Sequence, residues 1–400
     1  MKFDLLIRGA RVYPCADGTL ASIVDGAIGI ASGRIVYLGA TSELSAYECS
    51  REIDGRGMFA LPGLCDPHTH LVYGGNRVDE FARKMAGESY QSIAAGGGGI
   101  MSTVRATRTA SDDELFAAAK SRALAMRRHG VTTVEVKSGY GLTTEDELRI
   151  LRVARRLDTE SVVRTRTTLL GAHAVPDEHR NNRAGYLREI IDVMIPRAAA
   201  ESLADSVDVY IDEGAFTLDE ARSVLVAAQR AGLQARAHVG QFRDLGGALL
   251  LAELGALSAD HLEQVDDAGL QALAEAKVVA VLLPGAWRTL RQTPPDAARL
   301  RAHGLTMAVG TDCNPGTSPC TDITLCASLA VRDARLTLDE AILGITQNAA
   351  KAAGAADAGS LRIGALADIA LYDGDDARAL GYVLGDVSAK HVVLGGAVVL

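Results

Sequence analysis

No stretch of this chain approaches the roughly 20 consecutive apolar residues that a membrane span needs. The opening run, Met-Lys-Phe-Asp-Leu-Leu-Ile-Arg, is too short in apolar residues for a secretion signal and meets Asp4 and Arg8 at once. The six cysteines form no CxxC pair, so they read as thiols of a reducing compartment rather than a disulfide framework. There is no basic stretch interleaved with aromatics, and the net charge is −9, which argues against nucleic acid as a partner and gives no support to a membrane-surface role. A glycine run over 94–100 lacks the Lys and Ser/Thr of a phosphate loop and does not follow a strand, so it is not read as a nucleotide site. These absences lead us to expect a cytoplasmic protein. What is present is a 48% apolar, 23% charged composition, as in a soluble globular protein.

The 400 residues suffice for one large domain and one small one. Short apolar runs at 5–9, 27–30 and 34–38, cut by Gly and Asp, read as strands; so do 367–373 and 391–400. Neither end is long enough to bury a core alone, so the two together are expected to form one small β domain, 1–57 with 356–400. Between them, 58–355, strands alternate with helices. Strands are expected over 58–66, 131–137, 163–172, 207–212, 234–239, 256–261, 278–283 and 306–311. Helices are expected over 112–129, 144–157, 218–231 and 266–276, with Ser111 or Asp112 as a start signal and Gly130 and Gly232 as stops. Eight apolar strands alternating with helices predict an α/β fold of the (β/α)8 type, a TIM-like parallel barrel, over an open doubly wound sheet.

The carboxyl ends of barrel strands form the catalytic face. His68 and His70 stand two apart in Asp-Pro-His-Thr-His, at the end of the first expected strand, where alternate residues share a face. His173 ends the third strand, His238 the fifth, His261 the sixth, and Asp312 the eighth. Five of the nine histidines thus fall at one rim. Three imidazoles and a carboxylate suit one Zn²⁺ or Fe²⁺ per chain with a position left for water, and we expect His68, His70, His238 and Asp312 to be the ligands. Such an ion acidifies its water toward a pKa of about 7. Asp312 can accept the water proton and pass it to a leaving nitrogen, and His261 can hydrogen-bond the carbonyl oxygen or the nucleophile. His129 and His303, each before a glycine at a helix end, together with His179 and His391, read as structural or solvated.

The segments 67–77 (PHTHLVYGGNR), 132–142 (TTVEVKSGYGL), 170–176 (LGAHAVP), 257–263 (LSADHLE), 281–286 (VLLPGA) and 311–319 (TDCNPGTSP) closely resemble imidazolonepropionases, within the metal-dependent amidohydrolase superfamily. The resemblance covers nearly the whole chain. It implies hydrolytic opening of 4-imidazolone-5-propanoate to N-formimidoyl-glutamate in histidine breakdown, the same four metal ligands, and a homodimer. It implies substrate contacts at Arg77, Tyr140 and His173, with Asn314, Gly316 and Thr317 holding ring or product, and Gln241 touching the substrate or the metal's water. A propanoate tail calls for a bidentate cation, which Arg77 can supply; taken alone, Arg77 reads as a surface ion pair with Asp79 or Glu80. The chain departs from the family pattern at Gly240, usually acidic, at Trp287-Arg288, and at Cys313. Those departures bring in a relative acting on a hydantoin-like or thio-substituted imidazolone carboxylate. An aminohydrolase of a heterocycle is the other alternative.

Overall fold

The computed structural model describes residues 1–88 and 98–400; positions 94–97 of the glycine run lie outside the described residues. The N-terminal part supplies β1 (Lys2–Val12), β2 (Ile23–Ala31), β3 (Arg34–Ala40), β4 (Glu48–Asp54) and β5 (Met58–Pro62). Then come β6 (Leu64–Asp66), β7 (Val131–Lys137), β8 (Arg164–Ala172), β9 (Ser206–Ile211), β10 (Gln234–Val239), β11 (Ser258–His261), β12 (Val279–Leu282) and β13 (Met307–Val309). The C-terminal part adds β14 (Ile369–Asp373), β15 (His391–Leu394) and β16 (Ala397–Val398).

Strands β6 to β13 form one sheet in chain order, every pair parallel, with helices between them. This is the expected barrel. Its first and last strands are only three residues long and close the cylinder just beyond their ends. There the Asp312 N–H donates to the His68 carbonyl at 3.0 Å and the His70 N–H to the Cys313 carbonyl at 3.0 Å, with Thr69 bridging Cys313.

The remaining strands form a mixed sheet from both ends of the chain, ordered β16-β15-β14-β5-β1-β2-β3 with β4 on β1. One face buries Leu5, Ile7, Ile28, Ile30, Ile369 and Val393 together. The other joins the barrel's core, where Phe59 stacks on Tyr372 at 5.2 Å and the Tyr372 hydroxyl donates to the His129 carbonyl. The single strand expected over 58–66 is in fact two. Met58–Pro62 pairs with β14 and β1, and only Leu64–Asp66 enters the barrel. Gly63 is the crossing point: a Cβ there would stand 2.1 Å from the Thr132 hydroxyl. Strand β4 was not expected, because its exposed sequence, ECSREID, carries no apolar alternation.

Helix starts follow the local chemistry. Ser111 and Glu114 form a reciprocal cap before Asp112–Arg128, and Thr217 and Glu220 do the same before Leu218–Arg230. Asp266 caps Asp267–Glu275 by accepting from Gly269. Gly130 and Gly232 follow the first two of these helices in left-handed backbone, φ 92° and 80°. Among the described residues no helix is long and apolar enough to cross a membrane.

Candidate metal centre

Five side chains converge at the carboxyl rim. Ligand atoms of His68, His238 and His261 lie within 4.8 Å of one another, and so do those of His68, His70 and Asp312. His68 belongs to both groups, so they form one cluster. Asp312 Oδ1 stands 3.5 Å from His68 Nε2 and 3.6 Å from His70 Nε2. All five residues are buried. The His-X-His pair sits just past β6 rather than within a strand, in the extended segment that closes the barrel against Asp312 and Cys313. His261 and Asp312 take left-handed backbone, φ 85° and 52°, which non-glycine residues adopt at a cost.

What holds the imidazoles is a charged layer beneath them. The His68 Nδ1–H donates to Asp260 at 2.6 Å, and the His238 Nδ1–H to Asp208 at 2.9 Å. Each carboxylate thereby fixes the tautomer that leaves Nε2 with a free lone pair. Lys137 Nζ lies 2.8 Å from Asp208, 3.2 Å from Glu135 and 3.4 Å from Asp260. Arg236 stands 3.3 Å from Glu135 and 3.2 Å from Asp260, and donates to the Pro67 carbonyl at 2.8 Å. All five of these charged residues are fully enclosed. Burial alone would raise the carboxyl of Asp260, but Arg236 and Lys137 outweigh it and hold it well below the ordinary range. Burial takes His238 down to about 3, so it stands neutral at physiological pH. Burial, then repulsion from His173 and His68, likewise depresses His70. His68 shifts the other way: burial and Lys137 push it down, but Asp260 and Asp312 outweigh them and raise it, so a cation at its Nε2 would take the place of a proton there. Imidazole nitrogens beside a carboxylate that burial fails to protonate are the donor set a divalent cation requires. His68 Nε2 has no hydrogen-bond partner among the described residues. The cluster therefore fits a metal ion.

The charged layer was missed in the sequence, where the barrel strands were read as apolar. A signal existed: Glu135, Asp208, Arg236 and Ser258 each stand two residues before Lys137, Tyr210, His238 and Asp260, the spacing of inward positions on one strand.

The expected substrate residues lie around the cluster. Tyr140 is buried, its ring 5.6 Å from His70 and 5.5 Å from His173, and burial with Asp312 nearby pushes its phenol well above the usual value. His173 stacks on His70 at 5.2 Å and its Nδ1–H donates to the Gly139 carbonyl at 2.8 Å. Arg77 makes the ion pair with Glu80, through Nε at 3.0 Å, while its Nη1 lies 2.3 Å from where a Cβ on Gly316 would stand. The Gln241 carbonyl Oε1 accepts from the Tyr210 hydroxyl at 2.9 Å, which turns its amide N–H₂ away from that partner. Asn314 is committed to its own loop: Oδ1 accepts from the Gly316 and Thr317 amides at 2.8 Å, and Nδ2 donates to the Asp312 carbonyl at 2.7 Å. The Thr317 hydroxyl donates to Asp312 Oδ2 at 3.4 Å. Of the departures, Gly240 has φ 61° and a Cβ on it would meet Val265 at 2.7 Å, so this backbone favours glycine there. Arg288 points outward to Asp333 at 2.6 Å.

Residues 59–399 match the model of the Amidohydrolase family. An imidazolonepropionase of Polaromonas sp. (strain JS666 / ATCC BAA-500) is 47% identical over 397 residues, 98% of this chain and 93% of that protein. A triazine hydrolase of Arthobacter aurescens superposes with a TM-score of 0.80 at 21% identity, over 99% of this chain and 94% of that one. A zinc-bound adenosine deaminase of Xanthomonas campestris superposes with a TM-score of 0.74 at 19% identity, over 99% and 93%. The two superpositions speak for the fold; the family model and the end-to-end identity place the chain in the amidohydrolase family, on its imidazolonepropionase branch.

Proposed function

We propose that this chain hydrolyses 4-imidazolone-5-propanoate to N-formimidoyl-glutamate, a reading supported by relatives named imidazolonepropionase at 47% and 45% identity. The observation that carries the reading is two subsites side by side. The His70 ring of the histidine–Asp312 cluster lies 5.6 Å from that of Tyr140, and Arg77 approaches Gly316, in the loop that carries Asp312, with its charge felt at Tyr140. One subsite suits a reacting amide carbon and the other a carboxylate tail.

His68, His70, His238 and Asp312 would hold one divalent ion, Zn²⁺ or Fe²⁺, both of which this donor set accommodates. When bound, the ion supplies Lewis-acid polarisation and an acidified water. The chain's own residues do the rest. Arg77, through the Nη1 that its pair with Glu80 leaves toward Gly316, and Tyr140 grip the propanoate, and His173, with Nδ1 held by the Gly139 carbonyl, orients the ring through Nε2. Gln241, its Oε1 already occupied by Tyr210, offers N–H to ring or water. Gly316 and Thr317, shaped by Asn314, line the ring's far side. His261 donates to the carbonyl oxygen as negative charge grows there, the largest expected electrostatic contribution. Asp312 takes a proton from the attacking water and returns it to the departing ring nitrogen.

The test is turnover of imidazolone propanoate beside hydantoin and thiohydantoin analogues, followed by loss of ring absorbance, with ammonia assayed in parallel. Imidazolone opening at a kcat/KM at least about tenfold above either analogue is expected. Preference for an analogue, or ammonia release from a purine or pterin, would overturn the substrate.

A further inference from the structure

Glu147 lies on the helix Thr144–Thr159, fully enclosed, and touches none of the residues discussed above as ligand or substrate contact through its side chain. Its carboxylate is wrapped by the loop after β7. Oε2 accepts from the Gly139 amide at 2.9 Å, and Oε1 from the Gly141 and Leu142 amides, each at 2.7 Å. Ser138 adds a side-chain hydrogen bond. The loop is shaped for this contact. Gly139 has φ 102° and Leu142 φ 54°, and a Cβ on Gly141 would meet Asp146 and Glu147 backbone at 2.6 Å.

An enclosed carboxylate with three backbone donors is a strong local clamp. What it clamps is the substrate side of the site. Gly139, held through its N–H by Glu147, offers its carbonyl to the His173 Nδ1–H at 2.8 Å, which sets the His173 tautomer and leaves Nε2 for a ligand. Tyr140 stands between the two clamped glycines, 5.5 Å ring to ring from His173. The residues that hold the metal site together are tied through Asp208, Asp260, Lys137 and Arg236, and Glu147 meets that layer only at its border, through Ser138, the residue after Lys137.

We infer that Glu147 is a positioning residue for substrate binding: it fixes Tyr140 and the His173 tautomer through the 138–142 backbone. The inference rests on the proposed reaction for its kinetic readout alone. In Glu147→Gln the amide must turn its N–H₂ toward at least one of three backbone N–H groups, donor facing donor, so the clamp opens.

The experiment compares wild type, Glu147→Gln and Ile150→Val, a buried apolar change one turn along the same helix that removes no hydrogen bond to the loop. Glu147→Gln is expected to raise KM for imidazolone propanoate about tenfold or more while kcat changes less than about threefold and metal content stays the same. Ile150→Val is expected to leave KM unchanged. In ¹⁵N-histidine-labelled protein without substrate, the His173 signals should shift from a single Nδ1–H tautomer to a mixture in Glu147→Gln only. Unchanged KM together with an unchanged His173 tautomer overturns the inference, as does an equal KM change in Ile150→Val. Should the wild type fail to open imidazolone propanoate, the reaction falls while the tautomer measurement still decides the role of Glu147.

Discussion

At the scale of single residues, the chemistry concentrates where the backbone is least ordinary. Asp312 adopts φ 52° and lies against both His68 and His70. In the proton-carrying role proposed for it, it cannot be replaced by an amide of the same shape. Asp312→Asn is expected to cut kcat by about 10³-fold or more while leaving far-UV circular dichroism unchanged; turnover near wild type would remove it from that role. The rim histidines and Asp312 were legible in the sequence because rare residue types sat at strand ends. The five buried ions beneath them were not. A lone Asp or Lys in a strand reads as a solvent-facing position, and nothing in one dimension tells Asp208 that Lys137 waits 2.8 Å away. Asn314 was expected to hold ring or product; in the fold its side chain organises its own loop.

At the scale of elements, the helix caps and most strands followed from local sequence, while the break at Gly63 did not. Its cause is a tertiary neighbour, Thr132, invisible to any pattern within 58–66. Gly63→Ala is therefore expected to destabilise the fold by about 1–3 kcal/mol in urea unfolding, with Thr132→Ala in the same chain restoring part of the loss. The cap at Glu220 makes a second prediction. Hydrogen bonds from Arg183, ahead of the opposing effect of burial, lower its carboxyl from 4.5 to about 2. Between those values the unfolded chain takes up a proton that the folded one refuses. Its stabilisation is thus complete above the ordinary value and is lost as pH falls through about 2. Glu220→Gln should cost roughly 1 kcal/mol near pH 7, and the gap to wild type should narrow near pH 3. A gap independent of pH would show that the Arg183 contact contributes nothing.

At the scale of the whole molecule, the ionic layer ties β7, β9, β10 and β11 together across the barrel interior. Removing Lys137 leaves Arg236 as the one fixed cation of the layer against Glu135, Asp208 and Asp260. Lys137→Met is expected to lower stability by about 3–5 kcal/mol and, in chelator competition, metal affinity by roughly 10–100-fold. Unaltered affinity in a folded Lys137→Met protein would separate the layer from the metal site. The barrel itself was legible because eight strand–helix units repeat along the chain; the composition of its interior was not, because inward and outward positions look alike until the cylinder closes.

The pairing of β5 with β14 sets Leu61 opposite Ala370 and Met58 opposite Asp373. Roughly 300 residues separate these partners, and a ribosome adding about 5–20 residues per second needs about 15–60 s to deliver the second after the first. Through that interval the nascent chain carries the segment MFALP with one sticky border and no mate for it. Synthesis order thus makes the earliest-made sheet the last to be finished, and a chain cut short before Ile369 is expected to aggregate, which light scattering on the truncated protein checks.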